Sequence, residues 1–360
     1  MINALKITPT DLLMFRDGRP FNQDDPGGAT AQSLFPPPPS TVVGAIRLAI
    51  AEQNGFPISW PKQLLGDGVD WQAPSDLGTV SFGPLRLLQK NSSGASDELF
   101  PAPLHVVIDH AKTCKLLSPA APQFVSDLGD DIRLAAGTGA GLKTIEGDFV
   151  TRQGIELILQ GKPPLPEHIV PAVSIFAFET RAGIALNSAT RIVEDGALYS
   201  AGFVRLYDVV SMLQPVSGLP ESLSAFTQRF GGEHRTAIFD VTDAPPLPTA
   251  QLSGNTYAAI AIAPVYLRAA PVAGDQIPGL PGRLVSVCMA KPVWLGGWDS
   301  QNQKPLPMCQ IVPSGAVFFM ECDKTELPNG NEPLLVGSAN KWGFGHCLAA
   351  AWPAQGENSK

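Results

Sequence analysis

The chain has only five cysteines, Cys114, Cys288, Cys309, Cys322 and Cys347, scattered and odd in number, with no C-x-x-C pair. That argues against a zinc ribbon or a disulfide framework, and it favours reduced thiols in a cytoplasmic compartment. A basic surplus is also missing: the net charge is -8, with 13 basic and 19 acidic groups in residues 1–180 and 12 and 14 in the remainder. No basic domain or tail hides in that average. Any nucleic-acid site must therefore be a local cluster of arginines and backbone amides, completed by other subunits. Long apolar runs are lacking too. The most apolar stretch, Tyr257 to Leu267, is short and contains Pro264, and the opening MINALKITPTD has neither the basic nor the apolar region of a signal peptide. No membrane partner is expected.

Glycine and proline are abundant, at 35 each in 360 residues. Nearly a fifth of the chain is thus a turn-former or a breaker, which argues for many connections and irregular insertions over long helices. Hydrophobic content of 44% and charged content of 16% describe a folded protein, and the length suggests two domains, each able to bury its own core.

The chemistry concentrates in Phe15 to Ile50. Arg16 and Arg19 bracket an Asp17-Gly18 turn after an extended apolar segment, so two guanidinium forks stand close together where a strand ends, as an anion clamp requires. Pro36 to Pro39 then forbid helix, and Ser40 or Thr41 can cap the helix that follows over 41–53. Val42, Ala45, Ile46, Ala49 and Ile50 form its apolar face, while Gly44 permits close backbone approach. Unpaired amides at the helix start favour phosphate. The plainer alternative is a proline-rich loop docking an ordinary core helix.

Along the rest of the chain, residues 2–15 alternate as a first strand broken at Pro9, and Asn54-Gly55 stops the helix. Residues 56–130 read as strands carrying a long insertion, with NSSGAS at 91–96 as an exposed tip. GTGAGLKT at 137–144 fails as a nucleotide-binding loop, because Leu142 stands between the glycine and the lysine. A helix over 152–160 and a proline-rich linker near 162–166 close the first half. In the second half, strand-like runs at 173–178 and 198–206 flank a segment carrying Arg181 and Arg191. Gly231 and Gly232 lie beside Arg229 and Arg235. KPVWLGGWD, VPSGAVFF and KWGFGH follow. Arginines at strand ends beside glycines suit a phosphate backbone, and as isolated features they also suit a solvated surface.

FRDGRPF followed by FPPPPSTVVGAIR resembles the N-terminus of the third-subunit family of the type III-B CRISPR Cmr effector complex, within the RAMP superfamily. ETRAGIAL with DGALY, FGGEHR, KPVWLGGWD, VPSGAVFF and GFG resemble that family's later blocks in order, from Leu12 to about His346. The resemblance implies an α+β fold of two ferredoxin-like, RRM-related domains with long loop and hairpin insertions: residues 1–170, with the insertion at about 56–130, and residues 171–360, with a glycine-rich loop. The aromatic signature of ordinary RRMs is absent, so clamping of the RNA backbone is the better physical fit. The resemblance further implies a non-catalytic subunit without cofactor or metal. Such a subunit holds the repeat-derived 5′ tag of the guide RNA, docks on the large polymerase-like subunit beside the backbone RAMP subunits, meets target RNA indirectly, and acts in antiviral defence. Carried to matching positions, it makes Arg16, Arg19, Ser40, Thr41, Arg47, Arg181, Arg191, Gly231, Gly232, Arg235, Lys291, Gly343, Phe344 and Gly345 the RNA-binding set.

Two rival readings stand beside it. Some RAMP relatives cleave CRISPR transcripts with a histidine, but His105, His110, His168, His234 and His346 form no constellation with a second catalytic group that spacing can defend. A protein-only scaffold also suits the acidic charge and the proline-rich loops.

Overall fold

The structure is a computed structural model that describes residues 3–16, 29–67, 72, 77–120, 133–137, 139, 141–186, 189–299 and 304–352. The Asp17-Gly18 turn and Arg19 lie outside these residues. Strand β1 (Asn3–Pro9) buries Leu5 and Ile7 while Lys6 and Thr8 stay half-exposed, the two-residue alternation of a strand with one face on a core. A short strand β2 (Ala29–Ala31) precedes helix α1 (Pro39–Gln53). Then follow β3 (Arg86–Lys90) and β4 (Ser96–Pro101), a hairpin whose tip is the Asn-Ser-Ser-Gly turn anticipated above, then β5 (Phe149–Thr151), α2 (Arg152–Leu159) and β6 (Ile169–Val170). A long hairpin, β7 (Phe176–Leu186) and β8 (Val193–Leu206), comes next. Strands β9 (Val210–Ser217), β10 (Phe226–Arg229) and β11 (Thr236–Asp243) return to the first sheet.

That sheet runs in the order β6-β5-β4-β3-β9-β1-β11-β10, with Ser81–Phe82 paired beside β9. A second sheet holds β12 (Thr256–Ala261), β13 (Arg283–Cys288), β16 (Val317–Glu321), β17 (Leu334–Leu335) and β18 (His346–Ala350) in the order β13-β16-β12-β18-β17. Between β13 and β16 a separate hairpin is inserted, β14 (Val293–Asp299) and β15 (Lys304–Ile311).

Each sheet contains four antiparallel strands in the spatial order fourth, first, third, second: β11-β1-β9-β3 in one and β18-β12-β16-β13 in the other. A β-α-β-β-α-β unit has that order, but it also needs a helix after its first and third strands. Among the described residues such places hold only α1 and the four-residue helix Lys62–Leu65, both after the first strand of the first sheet. The chain is thus mostly β-sheet with few helices, and two complete ferredoxin-like domains are not what it displays. Residues 210–243 belong to the first sheet, and the proline-rich stretch near 162–166 leads into β6, paired with β5.

Helix α1 covers the first sheet. Val42, Val43, Ile46 and Ile50 are fully buried in one core with Leu5, Ile7, Met212 and Phe239, each such side chain contributing roughly 1.5–3 kcal/mol of burial. Its start differs from expectation. Pro38 is the N-cap, Pro39 lies in the first turn, no side chain caps it, and the amides of Thr41 and Val42 already donate to the Pro38 carbonyl at 3.0 and 3.4 Å. Gly44 is exposed, and a Cβ there would meet nothing within 4 Å, so it mediates no close approach.

Helix α2 joins the two sheets. Ile155, Ile158 and Leu159 share a core with Phe100 and Val150 of the first sheet and Ala258, Ile260, Phe319 and Leu348 of the second. A buried carboxylate fastens the crossing between halves. Glu98 on β4 pairs with Arg86 on β3 and, at 2.6 Å, with Arg152 of α2, while these arginines donate to the carbonyls of Pro245 (3.0 Å) and Pro246 (2.7 Å).

Candidate nucleic-acid interface

Alternation along the long hairpin puts Ala177, Glu179 and Arg181 of β7 on one face with their cross-strand partners Arg205, Phe203 and Ala201 of β8. That face closes over the segment after β1. Phe203 and Ala201 bury against Leu12 and Met14, and Leu13 exchanges both backbone hydrogen bonds with Val204 at 2.8 Å. Ser33 ties the third side: its hydroxyl accepts from the Phe15 amide at 3.2 Å and donates to the Gly202 carbonyl at 2.5 Å. Arg16 is exposed beside it, bridged by backbone to Ser33.

The turn between β10 and β11 brings in a further arginine. Gly231 has φ +86°, and a Cβ there would stand 2.3 Å from the Met14 carbonyl, so only glycine lets this turn lie against the N-terminal segment. The Gly232 amide donates to that same carbonyl at 2.8 Å, and Phe230 packs edge-on to Phe15 at 5.1 Å. Arg235 is thereby laid over Phe203, its guanidinium carbon 4.8 Å from the ring centre, while Arg181 approaches the same ring at 5.6 Å.

Two carboxylates hold this cluster in order. Asp11 pairs with Arg235 at 3.0 Å, and Glu179 bonds Arg205 with Arg181 at 3.8 Å. The Arg205 hydrogen bond holds the Glu179 carboxyl below its usual range, and Glu179 in turn raises Arg205. Arg181, Arg205 and Arg235 thus gather here with Asp11 and Glu179, and Asp208 also acts on Arg205. The buried Nε of Arg235 has no hydrogen-bond partner among the described residues, because the guanidinium lies against a ring there. Guanidiniums fixed on an aromatic ring can exchange an exposed carboxylate for a phosphate oxygen at little entropic cost.

Of the residues singled out from sequence, the structure gathers Arg16, Arg181, Gly231, Gly232 and Arg235 here. Arg191 is exposed near the hairpin tip at φ +54°, and Lys291 is exposed just before β14. The remaining ones are elsewhere. Ser40 and Thr41 are not caps. Arg47 is buried, donates to the Leu65 carbonyl at 2.9 Å and stacks on Trp60 and Trp342 at 5.3 and 5.2 Å, so it holds the core instead of an RNA phosphate. Burial alone lowers its pKa to about 10. Gly343, Phe344 and Gly345 are buried as well: Gly343 sits against Gly83, Phe344 fills the first core, and the Gly345 amide donates to Pro264 at 2.8 Å. That loop packs the second sheet against the first.

Sequence reasoning missed Phe203, Glu179, Arg205, Asp11 and Ser33. Period-two spacing pairs Glu179 with Arg181 and Phe203 with Arg205, which was a usable signal. The cross-strand register and the distant Ser33 and Asp11 were not readable. The histidines remain apart: His105 is buried edge-on to Phe319, and His168 accepts the Leu165 amide at 3.3 Å. Among the described residues no group of His, Cys, Asp and Glu could hold a metal ion, and no helix is long and apolar enough to cross a membrane.

A β-dominated molecule of two antiparallel sheets, carrying a stapled arginine face at the base of a long hairpin, is the class these features define. The family described as CRISPR-associated protein (Cas_Cmr3) matches residues 5–352, and the chain belongs to it. No curated protein matches the chain. Among solved structures, a chain of the type III-B Cmr-beta complex bound to cognate target RNA aligns at 19% identity and TM-score 0.51, over 88% of this chain and 86% of that one. The same complex with target RNA and AMPPnP gives 18% and 0.52 over the same shares. A chain of the type III-A Csm3-Csm4 subcomplex aligns over 99% of this chain and 100% of that one, at 12% identity and TM-score 0.42.

Proposed function

We propose that this chain is a non-catalytic subunit of a type III-B CRISPR effector complex that grips the repeat-derived 5′ end of the guide RNA and docks on the large subunit. In this reading both halves are ferredoxin-like units reduced to their strands, and the protein works in the cytoplasm. The observation that carries it is the stacking of Arg181 and Arg235 on Phe203, with Arg205 on the same hairpin face and Arg16 exposed on the adjoining segment, in three separated segments of an otherwise acidic chain. Family membership supplies the setting, and backbone contacts by arginines suit a tag held by position.

The test is to purify the tagged protein with its native partners and sequence the RNA crosslinked directly to it. Crosslinks concentrated in the repeat-derived 5′ end, mapped to peptides 11–16, 176–206 and 229–236, are the expected result. Guide RNA that copurifies but never crosslinks to this chain would replace the reading with a protein-only scaffold. Cleavage of repeat RNA by the pure chain, abolished by one histidine substitution, would replace it with a nuclease.

A further inference from the structure

Arg235 is held from two sides, and the two holds differ in kind. Beneath it lies the Phe203 ring, 4.8 Å from the guanidinium carbon, with Nε buried. Beside it is Asp11, at 3.0 Å. The Asp11 side chain is 52% exposed and that of Arg235 22%, so the carboxylate occupies the solvent side of the guanidinium, where an incoming anion must approach. Glu179 has a different place. It is 34% exposed, less than Arg205 at 44% and Arg181 at 47%, and it bridges those two guanidiniums instead of covering one. The backbone around Asp11 is fixed: the Thr10 hydroxyl donates to the Thr236 carbonyl at 2.9 Å, and Leu12 is fully buried. The carboxylate thus leaves Arg235 by a turn of its own side chain, and the ring keeps the guanidinium in place when it does.

We propose that Asp11 is an autoinhibitory contact of the RNA site: it occupies Arg235 in the free chain and yields it to an RNA phosphate, so that this carboxylate limits the affinity. The inference rests on the RNA-binding reading above and adds a control on it. An exposed carboxylate is solvated once released, and the pair it breaks is of the weak, screened kind. A phosphate that belongs to a chain, with its neighbours held by other arginines, displaces it; a lone small anion has no such neighbours to help. With Asp208 acting on Arg205, three acids meet three arginines, and the free chain shows little net charge among them.

The experiment is fluorescence anisotropy of the full chain with a labelled repeat-derived 5′-tag RNA at one low salt concentration, in a double-mutant cycle of Asp11→Asn and Arg235→Ala. Asp323→Asn, at an exposed acid two residues after β16, makes the same change in net charge. Asp11→Asn and Asp11→Ala should each tighten binding about two- to fivefold, the strength of an exposed ion pair. That gain should vanish beside Arg235→Ala, and Asp323→Asn should leave the affinity where it was. Weaker or unchanged binding in both Asp11 variants would make the carboxylate a support for Arg235 or a bystander, and overturns the proposal. A gain that survives Arg235→Ala, or that Asp323→Asn matches, is a general charge effect and overturns it too. If Arg235→Ala alone changes nothing, the arginine face does not hold the RNA, and the reading beneath the proposal fails with it. No RNA binding by any of these chains overturns both.

Discussion

Whether an arginine serves a phosphate or the protein interior is decided by what surrounds its guanidinium. Arg47 sits on the helix that the motif introduces, yet two indoles and a carbonyl enclose it. Arg181 and Arg235 use a single buried ring as a floor and leave their outer edges to solvent. Residue type and neighbouring glycines were legible, and burial was not, because it depends on Trp60 and Trp342 arriving from far along the chain. His105 gives a residue-scale prediction. Burial holds its pKa down from 6.5 to about 3, so the folded state keeps it neutral while the unfolded chain takes up a proton. Its stability is whole above pH 6.5 and is lost as pH falls from there toward 3. At pH 5 the loss should be about 2 kcal/mol. Thermal melts from pH 7 to 5 should show it, and His105→Leu should flatten that part of the profile; an equally steep profile in the variant would assign the acid sensitivity to other groups.

Among elements, alternation was a reliable guide and glycine a misleading one. Strand β1, the 91–96 hairpin tip and helix α2 stand close to where apolar spacing and turn residues put them. The proline run does begin α1 abruptly, but by supplying the N-cap and first turn itself, which leaves Ser40 and Thr41 without that task. The Gly231 turn and the Gly343–Gly345 loop look alike in sequence. The first is exposed and braces the arginine face; the second is buried between sheets. What separates them is the packing partner, Met14 or Gly83, which local sequence does not name. Gly231→Val should cost about 1–3 kcal/mol, since a β-branched side chain at φ +86° must also displace the Met14 carbonyl. Chemical denaturation measures the cost. The same variant should weaken RNA binding by releasing Arg235, whereas a well-folded variant with full affinity would show that the turn does not position that arginine.

For the whole molecule, the motif blocks identified the family over most of the chain, and the glycine and proline content pointed to many connections rather than long helices. The return of β9 and β11 to pair with β1, after an excursion of about two hundred residues, was not legible. Only the register reveals that return. The Glu98 clasp predicts how the halves stay joined. Glu98→Ala leaves Arg86 buried without its charge partner and should cost about 3–5 kcal/mol, with the proline segment at 245–246 becoming accessible to protease. Denaturation and limited proteolysis read both effects; a loss under about 1 kcal/mol would mean the clasp is dispensable.

The central claim is that RNA phosphates are gripped by the arginines gathered around Phe203. It is tested most directly by measuring the affinity of the full chain for a repeat-derived 5′-tag RNA from low to high salt, with and without Arg181→Ala and Arg235→Ala together. Two lost phosphate contacts should lower the slope of log affinity against log salt by about 1.4 while the melting profile stays near that of the unaltered chain. An unchanged slope and affinity in a folded double variant would contradict the account and move the RNA to another face of the molecule.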